Sequence, residues 1–108
     1  MTSFESGDVI LVPFPFTDQQ SNKKRPAVVV SSPEYHRTRS DIIIMALTSN
    51  LTGDHTPLSE WREAGLPKPT AFKPVLATLE TGLALKRLGH LGAMDMDLLI
   101  KILREILV

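Results

Sequence analysis

Lys23-Lys24-Arg25-Pro26-Ala27-Val28-Val29-Val30-Ser31-Ser32-Pro33 is the stretch that decides the fold. Three cations run into a proline, the proline into a run of small and β-branched residues, and that run is stopped by two serines and a second proline. Branching at Cβ stiffens χ1 and suits a pleated strand better than a helix. A short apolar run bounded by turn formers reads as a buried strand. Working outward, the pattern recurs. Val9-Ile10-Leu11-Val12 is stopped by Pro13 and Pro15, and Ile42-Ile43-Ile44-Met45-Ala46-Leu47 gives way to Thr48-Ser49-Asn50. Val75 to Leu79 and Leu83 to Leu88 read as two further strands, with Gly82 and Gly89 as punctuation. Gly53 to Pro74, rich in proline and glycine, reads as a long connection holding a short strand or a helical turn.

Only the C-terminus has helical periodicity. From Asp95 to Val108, Asp97, Lys101, Arg104 and Glu105 share one face and Leu99, Ile102, Leu103 and Ile106 the other. Asp95 is expected to cap this helix, and the helix to pack on a sheet without taking part in chemistry. Several short strands and one closing helix predict a mainly β (α+β) protein, a small barrel or strongly bent sheet with a C-terminal α-helix.

The chain has 108 residues, suited to one domain spanning 1–108, and 43% of them are hydrophobic, enough for a core. It has no cysteine, which excludes disulfides and thiolate metal sites and fits a reducing, cytoplasmic setting. The first residues show no signal-peptide pattern, and no apolar run approaches the ~18 residues of a membrane span. Twelve basic and 12 acidic residues cancel, which argues against nonspecific coating of nucleic acid. Distribution matters more: Lys23, Lys24, Arg25, Arg37 and Arg39 concentrate positive charge early in the chain.

No metal or cofactor is expected. His36, His55 and His90 form no i, i+4 pair, and the chain has neither a glycine-rich phosphate loop nor a G-x-S-x-G elbow. Two constellations remain. Arg25-Pro26 stands at the mouth of a buried strand, where a planar guanidinium can clamp two phosphate oxygens. Thr48-Ser49-Asn50 stands where another strand leaves the core, and its side chains can orient a phosphate or a base edge. Taken separately, each is an ordinary strand-end turn.

Their order, Gly7-Asp8-Val9-Ile10-Leu11-Val12, then Arg25-Pro26-Ala27-Val28-Val29-Val30-Ser31, then Leu47-Thr48-Ser49-Asn50, closely resembles the MazF/PemK family of toxin endoribonucleases. Thr78-Leu79-Glu80-Thr81-Gly82, Lys86-Arg87-Leu88-Gly89 and the terminal helix resemble its closing segment. The resemblance implies an SH3-like barrel, a homodimer, an antitoxin protein whose segment fills the RNA groove, and metal-independent, sequence-selective cleavage of single-stranded mRNA. It places the catalytic arginine on Arg25 and the hydroxyl on Thr48. The loops 16–24 and 49–56 would line the RNA channel, with Gln19, Asn22, Lys23, Lys24, Ser49 and Asn50 as RNA-binding residues. Some relatives carry an aspartate on the strand matching Val75 to Leu79, where this chain has Ala77 and Thr78; Glu80 is a possible substitute.

Such cleavage needs no protein nucleophile. The 2′-hydroxyl of RNA attacks the adjacent phosphorus and leaves a 2′,3′-cyclic phosphate and a 5′-hydroxyl. Arginine is a poor general base near neutrality, so His36, His55 and Glu80 are the candidates for proton transfer. Phe14, Phe16 and Trp61 are candidate stacking surfaces, each also suited to packing. The same architecture admits two other readings: an inactive RNA- or peptide-binding barrel, and a gyrase poison acting through its C-terminal residues. Against the second, Glu105-Ile106-Leu107-Val108 reads as a packed helix end.

Overall fold

The computed structural model describes residues 3–13, 23–53 and 55–107. In order these form β1 (Asp8–Pro13), β2 (Lys24–Val29), a short helix α1 (Pro33–Arg37), β3 (Asp41–Thr48), β4 (Thr56–Pro57), β5 (Ala71–Glu80), β6 (Lys86–His90) and the long helix α2 (Ala93–Leu107). The strands make one antiparallel sheet in the order β4-β5-β3-β2-β1-β6. It curls, giving a half-barrel with one C-terminal helix, as the strand runs and the terminal periodicity led one to expect.

The curl follows from burial on both faces. Val9, Val28, Met45, Leu47 and Phe72 belong to one core cluster, with Leu58, Ala64, Leu66, Leu91 and Leu99. Their strand neighbours Ile10, Val12, Ala27, Val29, Ile42, Ile44 and Leu79 belong to a second, with Phe4. Alternation sends adjacent residues to opposite sides, so these runs are apolar throughout because neither side meets water. Helix α2 covers the first face through Leu98, Leu99, Ile102 and Leu103. The second cluster is almost wholly strand residues, which a sheet buries only by folding over on itself. Two irregularities aid the bend, one in β1 between Val9 and Ile10 against β6, the other in β3 between Met45 and Ala46 against β5. The second lies beside Pro74, which has no N–H for the ladder.

Several details depart from the sequence reading. Leu83 to Leu88 is not a strand: Thr81–Leu83 is a 3₁₀ turn and the strand is Lys86–His90. Leu83 and Leu85 are each 50% exposed, so the apolar pattern there marks surface. Gly89 lies inside β6, where its missing Cβ makes room for the carbonyl of Ala64. Helix α1 was not expected from Pro-Glu-Tyr-His-Arg; it starts because the Ser32 hydroxyl accepts from Tyr35 N–H at 3.2 Å with Pro33 in the first turn. Helix α2 begins at Ala93, and Asp95 does not cap it: its carboxylate turns away to Ser59 and Glu60. Ile106 and Leu107, expected to pack, are 42% and 64% exposed. Among the described residues no helix is long and apolar enough to cross a membrane.

Gly65 joins the connection between β4 and β5 to the sheet. It takes φ +84°, and a Cβ there would overlap the Leu88 carbonyl. Gly65→Ala is expected to lower unfolding free energy by at least about 2 kcal/mol in urea titration, because the left-handed backbone and the clash add. Gly82→Ala, where a Cβ meets nothing within 4 Å, serves as the control and should stay within about 0.5 kcal/mol.

Candidate active site

Strands β2 and β3 are paired from Ala27↔Ala46 to Val29↔Ile44, and the ladder stops beside Pro26, which has no N–H to give. Continuing the register by two residues sets Arg25 across from Thr48, on one face of the sheet at its open end. Pro26 and Leu47 are the next pair inward. With Leu11 of β1 and Leu88 of β6 they make the apolar floor of a cleft of about 490 Å³. Lys23, Lys24, Arg25, Thr48 and Ser49 line it from the strand ends, and Leu66, Pro67, Lys68 and Thr70 line it from the connection that leads into β5.

Arg25 is exposed, and its guanidinium makes no hydrogen bond or ion pair with any described residue. The other early arginines are committed elsewhere. Arg37 pairs with Glu34 at 2.8 Å. Arg39 binds both oxygens of Asp41 at 2.8 and 3.0 Å and lies over the Tyr35 ring, and its hydrogen bonds hold the Asp41 carboxyl below the usual range. Both are at the far end of β3 from Thr48.

Thr48 heads a turn that fixes its own geometry. The Asn50 N–H donates to Thr48 Oγ1 at 3.0 Å, and the backbone N–H and hydroxyl of Thr52 donate to Asn50 Oδ1 at 3.1 and 2.6 Å. His55 Nδ1 lies 2.9 Å from the Asn50 carbonyl, which fixes Nδ1 as the protonated nitrogen. Accepting from Asn50 leaves the Thr48 hydroxyl proton available to an outside acceptor. Asn50 itself is exposed and its amide oxygen is spent on Thr52, so it lies beside the cleft and not in its lining. Gln19, Asn22, Phe14 and Phe16 lie outside the described residues.

The remaining candidates fall away from the cleft. Glu80 pairs with Asp41 across β3 and β5, whereas Thr48 pairs with Ala71, so roughly 23 Å of strand separates it from Thr48. His36 is bound by Ser31 Oγ at 2.5 Å and by the Phe4 carbonyl at 2.9 Å. Trp61 packs against the first core cluster under the Arg62 guanidinium. Ligand atoms of Glu5, Asp8 and His90 lie within 4.8 Å of one another, a grouping the sequence spacing did not suggest. Asp8 already accepts from Glu5 N–H at 2.8 Å, Arg87 at 2.9 Å and His90 at 2.9 Å. A guanidinium on the same carboxylate opposes a second cation there. The wall 66–70 was missed from sequence, where proline and glycine signalled only a connection.

The class of protein is thus a curled β-sheet with a basic cleft at one end and a covering C-terminal helix. Residues 5–107 match the sequence family described as the PemK-like, MazF-like toxin of type II toxin–antitoxin systems. The chain belongs to that family. Among solved structures it is similar to an endoribonuclease in complex with its cognate antitoxin from a mycobacterial species, at 17% identity and a TM-score of 0.76, over 97% of this chain and 93% of that one. It is also similar to a mycobacterial endoribonuclease at 15% identity and a TM-score of 0.75, over 97% and 91%. No curated protein matched the sequence.

Because Arg25 is exposed and without a described partner, Arg25→Ala should shift unfolding free energy by no more than about 0.5 kcal/mol. Thermal or urea denaturation checks this, and a large loss would reveal a structural role for the guanidinium.

Proposed function

We propose that this toxin-family protein is an endoribonuclease that cuts single-stranded RNA in the cleft between Arg25 and Thr48. The observation that carries the reading is a guanidinium with no partner among the described residues and a hydroxyl with its proton available, lining one basic cleft. Arg37 and Arg39, by contrast, are held in ion pairs away from the cleft.

The chemistry follows from these two groups. The substrate's 2′-oxygen attacks the neighbouring phosphorus, the bond to the 5′-oxygen breaks, and the products end in a 2′,3′-cyclic phosphate and a 5′-hydroxyl. Charge accumulates on the non-bridging oxygens. Arg25 binds them, and Thr48 donates a hydrogen bond that holds the phosphate in line. Lys23, Lys24 and Ser49 hold the flanking backbone, and Gln19, Asn22 and Asn50 contact bases. The nucleophile comes from RNA and the compensating cation from Arg25, so cleavage proceeds without a metal. The cleft takes an antitoxin segment in place of RNA, in keeping with the antitoxin bound to the similar mycobacterial protein, and the working unit is a cytoplasmic homodimer.

Among the described residues lining the cleft there is no aspartate, glutamate or histidine. The 2′-hydroxyl proton therefore passes to solvent, and the departing 5′-oxygen takes one from water. Without positioned acid–base groups among the described residues, the enzyme forgoes a factor of about 10²–10⁴ in rate and is slow.

Incubating the protein with mixed-sequence RNA in EDTA and mapping the ends tests activity, metal independence and site preference together. Cyclic phosphates at a short recurring motif are expected, and intact RNA would sink the reading. Arg25→Ala should lower the cleavage rate by about 10²–10³ in a protein that remains folded. A second measurement is the pH–rate profile. With solvent taking the proton, the rate should climb about tenfold per pH unit across neutrality, first order in hydroxide. A bell-shaped profile would instead reveal an acid–base pair, and His55, tied to the Thr48 turn, is the first residue to replace.

A further inference from the structure

Asp95 is 0% exposed, and no cation faces it among the described residues. A carboxylate taken out of water this way is costly unless donors surround it. Here they do: Oδ1 accepts from Ser59 N–H at 2.9 Å and from the Ser59 hydroxyl at 3.0 Å, and Oδ2 accepts from Glu60 N–H at 2.9 Å. All three donors belong to the connection between β4 and β5, far away in sequence. A carboxylate that capped its own helix would leave that segment alone.

What Asp95 grips is a closed loop. Leu58 N–H donates to the Thr70 carbonyl at 2.9 Å and joins the loop's two ends. Within it, Ala64 N–H returns to Glu60 and Leu66 N–H to Trp61, at 3.2 and 3.1 Å, while Leu58, Ala64 and Leu66 are buried. The Thr70 hydroxyl donates to the Lys68 carbonyl at 2.8 Å and fixes the exit. The entry is held by Asp95, and the exit, Leu66 to Thr70, lines the same cleft as Arg25. Lys68 stands there, exposed, its ammonium making no ion pair with a described residue.

We infer that Lys68 is a phosphate contact in the RNA cleft, and that Asp95 is the positioning residue that holds the segment carrying it at its working distance from Arg25. Cations from two separate segments around an apolar floor suit a strand whose phosphates run along the rims while a base enters between them. The width of such a channel sets which phosphate each side reaches. Helix α2 thereby acts on RNA binding through one buried carboxylate. The inference rests on the ribonuclease reading.

The test measures binding of a 2′-O-methyl, uncleavable single-stranded RNA to the full chain over a range of potassium chloride concentrations. Each phosphate contact contributes about 0.7 to the slope of log affinity against log salt on a single strand. Lys68→Ala should lower the slope by about that amount. Asp95→Asn, which keeps the size but turns an amide N–H₂ toward a backbone N–H, should lower it equally, and the double variant should lose no more than Asp95→Asn alone. Lys101→Ala, on the outward face of α2, should leave the slope unchanged. The cycle is read only with Asp95→Asn shown folded by its urea denaturation curve, because an unfolded variant would also hide the effect of Lys68→Ala. If Asp95→Asn does not fold, Ser59→Ala, which removes one of three donors, replaces it in the same cycle. Wild-type binding with an unchanged slope in Lys68→Ala overturns the phosphate contact, and additive losses overturn the positioning role. Wild-type protein showing no salt-dependent RNA binding overturns the nuclease reading as well, and so is distinguishable from either.

Discussion

Val9 and Ile10 are adjacent on β1, point to opposite sides of the sheet, and are both 0% exposed. This two-sided burial is the constraint from which the architecture follows. A flat six-stranded sheet would need a full layer on each side, and a chain of 108 residues has too little material for both. Curling lets the strands bury one side against themselves, leaving α2 and the Leu58–Thr70 loop to cover the other. The loop is thus part of the core's cover before it is the wall of anything. Its inner residues Leu58, Ala64 and Leu66 belong to the same cluster as Leu99 of the helix.

The cleft lies where that cover ends. Beyond Ala27 the β2–β3 ladder lapses at a proline, and the strand ends carry Lys24 and Arg25 on one side and Thr48 on the other. Neutral composition conceals a strongly uneven arrangement. Lys23, Lys24, Arg25 and Lys68 all line the cleft, whereas Arg37, Arg39 and Arg87 are each paired with a carboxylate away from it. Net charge speaks to colloidal behaviour, and the local field at the cleft is what a phosphate meets.

How much of this was legible in the sequence depends on the range of the interactions. Strands β1, β2 and β3 were legible because two-sided burial writes itself as unbroken apolar runs. The start of β6 was not: Lys86-Arg87-Leu88-Gly89-His90 is a strand through backbone pairing to β1, while the apolar Leu83 and Leu85 just before it are surface. Arg25 and Thr48 were found from the family pattern, and their shared cleft follows from the register of two strands already identified. Lys68 could not be found in this way. Its position depends on Asp95 gripping a segment some 35 residues away, and local reading assigned Asp95 to its own helix. Ser32-Pro33, a serine followed by proline, was a readable helix start that the absence of an apolar run obscured.

The two ends of the sheet differ in how their polar groups are satisfied, and that difference bears on function. At the end where β1 and β3 begin, Asp8 is held by Glu5, Arg87 and His90, Ser31 by His36 and Ile43, and Asp41 by Arg39. Among the described residues no buried side-chain nitrogen or oxygen lacks a partner. At the other end three donors have no acceptor among the described residues: the Arg25 guanidinium, the Lys68 ammonium and the Thr48 hydroxyl proton. An exposed, unpaired cation does little for the fold, since even a surface ion pair contributes only about 0–1 kcal/mol. What such donors do is bind an anion with little reorganisation, because the backbone beneath them is already fixed by Pro26, by the Thr48–Thr52 turn and by the clamp on Ser59 and Glu60. The saturated end keeps the sheet in one shape, and that fixed shape holds the donors of the other end in place for the anion proposed above.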